Sequence, residues 1–429
     1  MGILLGFAIL ITLYTLLTLE IFHRTVIALI MAGIVLIINL ILRYASFTQL
    51  IEAIDLDTIL LLMSMMMFVS IMSKTGVFSY LAHHILLRFY SRPFMLIAIL
   101  TSLTAFVSAF IDNVTTVLII TPIVIEVSRR LKIDPRLILL AIVFSSNIGG
   151  TATLIGDPPN IIIGSLAHLG FMAFIYNLTP IVIVDFILFL LLIKIMYRGW
   201  FREYRATVSK LGNAISNLRI NVKLYRRDLI EVLVPFFIVI ILFTLEDVLK
   251  YPPAIPALIG SAILLVLMGR RINIEEVLKD IDWSTLVFFM AMFIVIKGIE
   301  KLGLMKFIAD FILGFSTNFT VMILLVVWLS AIVSAFVDNI PFVMTMMSAL
   351  LILTKSLSYN ITPLYWALSL GGCLGGNATL VGASANIVVA GIADKYGYHI
   401  SFKYFMKYGM PVMLLTVGVS SVYLVLRYT

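Results

Sequence analysis

Apolar residues in this chain gather into runs that neither alternate with polar positions nor recur on a single helical face. Runs at 25–42, 58–72, 94–110, 176–195, 229–245 and 410–426 each reach or approach the roughly 20 residues that carry a helix across hydrocarbon. Barrel strands would be about ten residues long with alternating polarity, so the pattern predicts an all-α polytopic membrane protein. The first run, 3–19, has no basic segment before it and no small-residue cleavage site after it, and reads as a retained first helix.

One long polar segment interrupts this pattern. Residues 198–228 carry Arg198, Arg202, Arg205, Lys210, Arg219, Lys223, Arg226 and Arg227 against Glu203 and Asp228, a bias that predicts a cytoplasmic linker of a multi-pass plasma-membrane protein. Counting back from it gives helices near 176–197, 136–169 (broken), 57–73, 25–42 and 2–19, an odd number that puts the N-terminus outside. Counting forward leaves Arg270, Arg271, Lys395, Lys403 and Lys407 inside and the C-terminus outside as well.

The two flanks of the linker repeat each other. Ser108, Ala109, Phe110, Asp112 and Asn113 return as Ser334, Ala335, Phe336, Asp338 and Asn339. The stretch 149–161 returns as 375–387, at the same displacement of 226 that separates Asp112 from Asp338. Asp55 with Thr58 returns as Asp282 with Thr285, and Gly76 as Gly303. Repeat 1 is therefore 1–197 and repeat 2 is 229–429. A repeated odd unit is inverted in the membrane, the arrangement that opens one site to alternate sides. The expected architecture is two inverted-topology repeats with about ten transmembrane helices, two re-entrant hairpins and two broken helices.

The hairpins are expected at 93–129 and 319–355. Basic residues flank the first at both ends, so its two arms begin and end on one side, an outcome that two full crossings would also give. Its tip holds Asp112, Asn113, Val114, Thr115 and Thr116, and the second tip holds Asp338, Asn339, Ile340 and Pro341. The broken helices are expected at 136–169 and 363–393. Gly149, Gly150 and Gly156 would permit an unwound turn before Pro158 and Pro159 restart a helix, with Gly375, Gly376, Gly382 and Asn386 opposite. Broken backbone at membrane depth is tolerated only where it is buried in protein or lines a cavity. Four such breaks meeting near the midplane would offer helix N-termini to anions, and carbonyls and carboxylates to cations.

Composition narrows the chemistry. Of 429 residues 62% are hydrophobic and 12% charged, with a mean hydropathy of +1.15, so the net charge of +8 points to membrane loops and not to nucleic acid. Cys373 is the sole cysteine, beside five scattered histidines, which excludes an intramolecular disulfide and a Cys/His metal cluster; no cofactor or metal is expected beyond a transported sodium. No Gly-x-x-x-x-Gly-Lys phosphate loop is present, so energy must come from an ion gradient, with a proton or sodium as coupling ion, or from a partner.

Each candidate also has a plainer reading. Asp112 and Asp338 can cap the second arm of each hairpin, yet a carboxylate at membrane depth costs about 2.5–3.5 kcal/mol, which argues that a repeated pair is functional. The glycines can serve close helix packing. Asp157 has no equivalent, because Ala383, Ser384 and Ala385 replace Asp157-Pro158-Pro159; an ion site that used it would be asymmetric. Asp185 and Lys297 read as interior counter-ions, Glu20 and Glu246 as helix-end residues, and the Met-rich stretches as packing. An intramembrane aspartyl protease would need Gly-x-Gly-Asp, where this chain has Leu154-Ile155-Gly156-Asp157.

At 110–122 (FIDNVTTVLIITP), 147–164 (NIGGTATLIGDPPNIIIG), 336–342 (FVDNIPF) and 373–393 (CLGGNATLVGASANIVVAGIA) the chain resembles the ion transporter superfamily, in its arsenite permease, melanosomal P-protein and sodium/proton antiporter branch. The resemblance implies two inverted repeats with re-entrant hairpins, a homodimer, and secondary transport of a small inorganic ion. It also implies site residues Asp112, Asn113, Thr115, Asn147, Thr153, Asp157 and Asn160, with Asp338, Asn339, Asn377, Thr379 and Asn386 opposite. Both tips read Asp-Asn where arsenical permeases carry Asn-Asp, so sodium suits them at least as well as arsenite. The expected activity is efflux of arsenite or exchange of sodium for protons, with no enzymatic reaction. A passive anion channel, or a membrane subunit for a soluble ATPase docking on 198–228, are the alternatives.

Overall fold

The computed structural model describes residues 1–19, 21–211, 226–269, 271–315, 318–356 and 360–429. Glu20, Arg270 and the linker residues 212–225, with Arg219 and Lys223, lie outside the described residues. The described residues form helices and no strand.

The first half runs α1 (Gly2–Leu19), α2 (Arg24–Ile41), α3 (Phe47–Ile51), α4 (Leu56–Lys74), α5 (Val77–Phe89) and α6 (Pro93–Ser108). It continues with α7 (Asn113–Arg130), α8 (Arg136–Gly150), α9 (Pro158–Ala167), α10 (Phe171–Asn177) and α11 (Thr179–Met196). The basic segment opens with α12 (Arg198–Leu211). The second half runs α13 (Arg226–Leu249), α14 (Ala254–Met268), α15 (Ile274–Lys279), α16 (Trp283–Lys301) and α17 (Leu304–Phe315). It ends with α18 (Phe319–Phe336), α19 (Asn339–Ser356), α20 (Thr362–Gly375), α21 (Ser384–Lys395) and α22 (Phe402–Tyr428).

Read in order, α13 to α21 match α1 to α9 helix for helix, and α22 takes the place of α10 and α11. The packing follows the same exchange. Helix α2 lies on α16 as α14 lies on α4, α6 lies on α8 as α18 lies on α20, and α7 lies on α21 as α19 lies on α9. A two-fold relation between the halves requires such swapped pairs. Among the described residues eight helices are long and apolar enough to cross a membrane, or nine if α9 and α10, bent by 115° at their junction, count as one broken span.

The outer helices expose large apolar side chains such as Ile11, Ile37, Ile187, Ile241 and Val266, a surface that suits lipid better than water. The core lies around α8 and α20, whose residues are buried from Leu137 to Gly150 and from Pro363 to Gly375. Short helices that the apolar runs do not reveal lead into the hairpins: α5 follows Gly76 at φ 74° and α17 follows Gly303 at φ 89°. An L side chain resists that left-handed backbone, which accounts for the repeated glycine. Helix α12 is amphipathic. Phe201, Tyr204 and Val208 are buried while Arg198, Arg202, Arg205 and Lys210 are exposed. Trp200 Nε1 donates to the Asp134 carbonyl at 3.3 Å and Phe201 meets Phe94 edge-on at 6.0 Å, so α12 braces the base of the first hairpin.

Candidate functional site

The chain turns sharply between α6 and α7 and again between α18 and α19, and an aspartate starts the second helix each time. Asp112 accepts the Thr115 amide at 2.9 Å and Asp338 accepts the Ile340 amide at 3.1 Å. Both therefore cap helices, and the two tips meet at one cavity of about 480 Å³ lined by Asp112, Asn113, Thr115, Asp157 and Asn339. Arg24 also lines this cavity and reaches Asp338 at 3.5 Å.

The unwound segments 151–157 and 376–383 cross behind the tips, fully buried but for Leu380 and Val381. Close approach explains their glycines. A Cβ on Gly149 would sit 2.2 Å from the Ala105 carbonyl, and one on Gly375 2.6 Å from Ala331 Cα. A Cβ on Gly150 would meet the Gly156 carbonyl at 2.6 Å, and one on Gly376 the Gly382 carbonyl at 2.8 Å. None of these six glycines has a positive φ. The chain unwinds beside them, at 151–157 and 376–383, and there they supply room for two chain segments to touch.

Side chains pin these segments to the hairpins. Thr153 Oγ1 donates to the Ala109 carbonyl and Thr379 Oγ1 to the Ala335 carbonyl. Asn160 Nδ2 donates to the Thr151 and Thr153 carbonyls at 3.1 and 2.8 Å, and Asn386 Nδ2 to Gly376 and Thr379 at 2.8 and 2.9 Å. These four residues brace the breaks from within.

A second set spans the halves. Asn113 Nδ2 reaches Asn147 Oδ1 at 3.2 Å and Asp157 Oδ1 at 3.4 Å, while Asn147 Nδ2 donates to Asn377 Oδ1 at 3.0 Å and Asn386 Oδ1 at 3.1 Å. Asn147 and Asn377 are not equivalents under the repeat. The displacement of 226 pairs Asn147 with Cys373 and Thr151 with Asn377, and Cys373 Sγ points at Asn160 Oδ1, 3.7 Å away, as Asn147 points at Asn386. Asp157 caps nothing. Its Oδ2 and Asn377 Nδ2 are buried with no hydrogen-bond partner, a costly state that bound species relieve.

The structure separates the remaining candidates from this site. Asp185 is buried and accepts from Ser420 at 2.8 Å, whereas Lys297 pairs with Glu300 at 2.8 Å; the two are not each other's counter-ions. Glu246, buried in α13, accepts the Phe171 amide at 3.2 Å. Polar residues of the cavity that the sequence does not single out for the site include Arg24, Lys74, Asp280, Asp282, Thr285 and Ser384. The recurrence of Asp55 with Thr58 as Asp282 with Thr285 was the available signal.

The citrate transporter (CitMHS) family model matches residues 14–371. A 46 kDa membrane protein of Mycobacterium leprae is 35% identical over 99% of this chain and 98% of its own length. The mouse P protein is 33% identical over 98% of this chain, which spans 60% of that protein's length. The crystal structure of the Alcanivorax borkumensis YdaH transporter superposes with a TM-score of 0.61 at 15% identity, covering 94% of this chain and 97% of that one; it shares the fold. The chain is a multi-pass membrane transporter and belongs to the citrate transporter family of the ion transporter superfamily.

Proposed function

We propose that this transporter performs secondary active transport of a small ion by alternating access, exchanging it for a proton or sodium at the two hairpin tips and Asp157. The observation that carries this reading is the meeting of Asp112, Asn113, Asp157 and Asn339 in one cavity, with a buried, unpartnered carboxylate oxygen on Asp157. Carboxylates at membrane depth are retained where ions or protons bind. The swapped helix contacts support an inverted pair of repeats, 1–197 and 229–429, about the basic linker.

Sidedness follows from charge. Arg92, Arg129, Arg130, Lys132 and Arg136 lie at the same end as the exposed face of α12, tied to it by Trp200 and Phe201, and this end is the cytoplasmic one on the positive-inside rule. Lys74 and Asp280, paired at 3.0 Å, border the cavity and belong to this end by the crossing count, so the site faces the cytoplasm here.

Sodium and protons suit the carboxylates, and arsenite would pass as a neutral hydroxide held by Asn, Thr and carbonyl groups. A citrate-like anion is a second reading, favoured by Arg24 and Lys74 in the same cavity. Purified protein in liposomes with an internal pH dye separates them. Sodium, lithium, arsenite or citrate applied across a gradient is expected to move protons, and silence with all four overturns the proposal.

A further inference from the structure

Arg24 opens α2, away in sequence from the hairpins and the broken helices, yet its guanidinium ties together three elements of the second half. Nη1 donates to Ser384 Oγ at 2.7 Å and faces Asp338 Oδ2 at 3.5 Å. Nη2 donates to Thr285 Oγ1 at 2.7 Å and faces Asp282 Oδ2 at 3.9 Å. The Phe288 ring lies 5.6 Å beneath. Hairpin 2 is held at its tip by a cation from repeat 1, and Tyr14 of α1 adds a bond to Thr345 at 2.8 Å.

The displacement of 226 carries Arg24 onto Lys250 and Asp338 onto Asp112, and the displacement of 227 carries Asp282 onto Asp55 and Thr285 onto Thr58. The charges are preserved but the contact is not. Lys250 is exposed at a separate cavity beside Glu52, Asp55 and Asp57, with no carboxylate at ion-pair distance among the described residues. Asp55 instead accepts from Thr58 at 2.7 Å and from Ser165. Asp112, too, has no cation at ion-pair distance among the described residues. The halves match in sequence and in helix packing, and they differ in whether the latch is closed.

A transporter built of two inverted halves reaches its opposite-facing state by exchanging their conformations around one site. Resting on the alternating-access reading above, we infer that Arg24 and Lys250 are reciprocal latches: Arg24 holds Asp338 while the cavity faces the side seen here, and Lys250 takes Asp112 when it faces the other. The guanidinium occupies the place of a monovalent cation at Asp338, so the coupling cation is offered Asp112 in this state and Asp338 in the other. On the cation-exchange reading Arg24 and Lys250 are positioning residues, which bias the two states by holding the hairpin tips.

Accessibility labelling tests this on the full chain in liposomes, with Cys373→Ala removing the native thiol. Leu118→Cys, in the open cavity, and its equivalent Met344→Cys, buried beside a cavity on the opposite face, report the two states to a membrane-impermeant maleimide. Arg24→Gln should lower Leu118→Cys labelling relative to Met344→Cys by about fivefold, the population shift that one ion pair supplies. Lys250→Gln should raise the same ratio, and Arg24→Lys should keep it. A shift in the same direction for both Gln variants, no shift, or a joint rise at both cysteines overturns the latch. Labelling needs no substrate: reciprocal shifts without ion flux would count against the proposed transport chemistry alone, and flux without reciprocal shifts against the latch alone.

Discussion

Replacing Asn147 by Ala should cost far more than replacing its repeat equivalent Cys373 by Ala. Asn147 satisfies three amides at once: it accepts from Asn113 and donates to Asn377 and Asn386. Asn113 keeps Asp157 as a partner at 3.4 Å, but Asn377 Oδ1 and Asn386 Oδ1 are left buried and unpaired. A buried polar group without a partner costs about 1–3 kcal/mol, so the loss is about 2–6 kcal/mol. Cys373 offers Asn160 one weak contact at 3.7 Å, and that oxygen keeps Ser369 at 2.5 Å. Its removal should cost about 1 kcal/mol, mostly lost packing. Unfolding in mixed micelles titrated with a denaturing detergent, followed by tryptophan fluorescence, gives both differences, since Trp366 lies buried against Phe174. Equal losses for the two variants would refute the asymmetric amide network.

The remaining expectations concern the hairpins and breaks. Gly149→Ala and Gly375→Ala push a methyl into backbone and should each destabilise by about 1–3 kcal/mol in the same unfolding assay, while Gly391→Ala, with open space around it, should not. Thr153→Val and Thr379→Val remove the hydroxyls that hold the tips to the breaks; each should cost about 1 kcal/mol and reduce the flux rate, read in liposomes with the pH dye. Asp157→Asn should abolish ion-dependent proton movement in that assay while leaving the unfolding midpoint level or higher, because it removes a buried carboxylate oxygen that nothing pairs.

Much of the architecture is legible in the sequence because lipid demands it. Uninterrupted apolar runs mark α1, α2, α11 and α13, and the repeated Asp-Asn and glycine signatures mark the turns at 109–112 and the break at 151–157. The short helices α3, α5, α15 and α17 are not, because they lie where apolar runs end and are set by local devices: a capping box of Ser46 with Gln49, and left-handed Gly76 and Gly303. The site was half legible. Asp112, Asn113, Asp157 and Asn339 reach the cavity, whereas Thr153, Thr379, Asn160 and Asn386 spend their hydrogen bonds inside the breaks. Arg24 was hidden because a lone arginine beginning an apolar run looks like an interfacial anchor; only the fold brings it to Asp338, 314 positions away.

The central claim is that the two halves stand upside down relative to each other in the bilayer. In the Cys373→Ala background, Arg88→Cys and its equivalent Gly314→Cys occupy exposed ends of α5 and α17. An impermeant maleimide applied to sealed cells and to inverted vesicles should label Arg88→Cys only from the cytoplasmic face and Gly314→Cys only from the outer one. Labelling of both from one face would contradict the account.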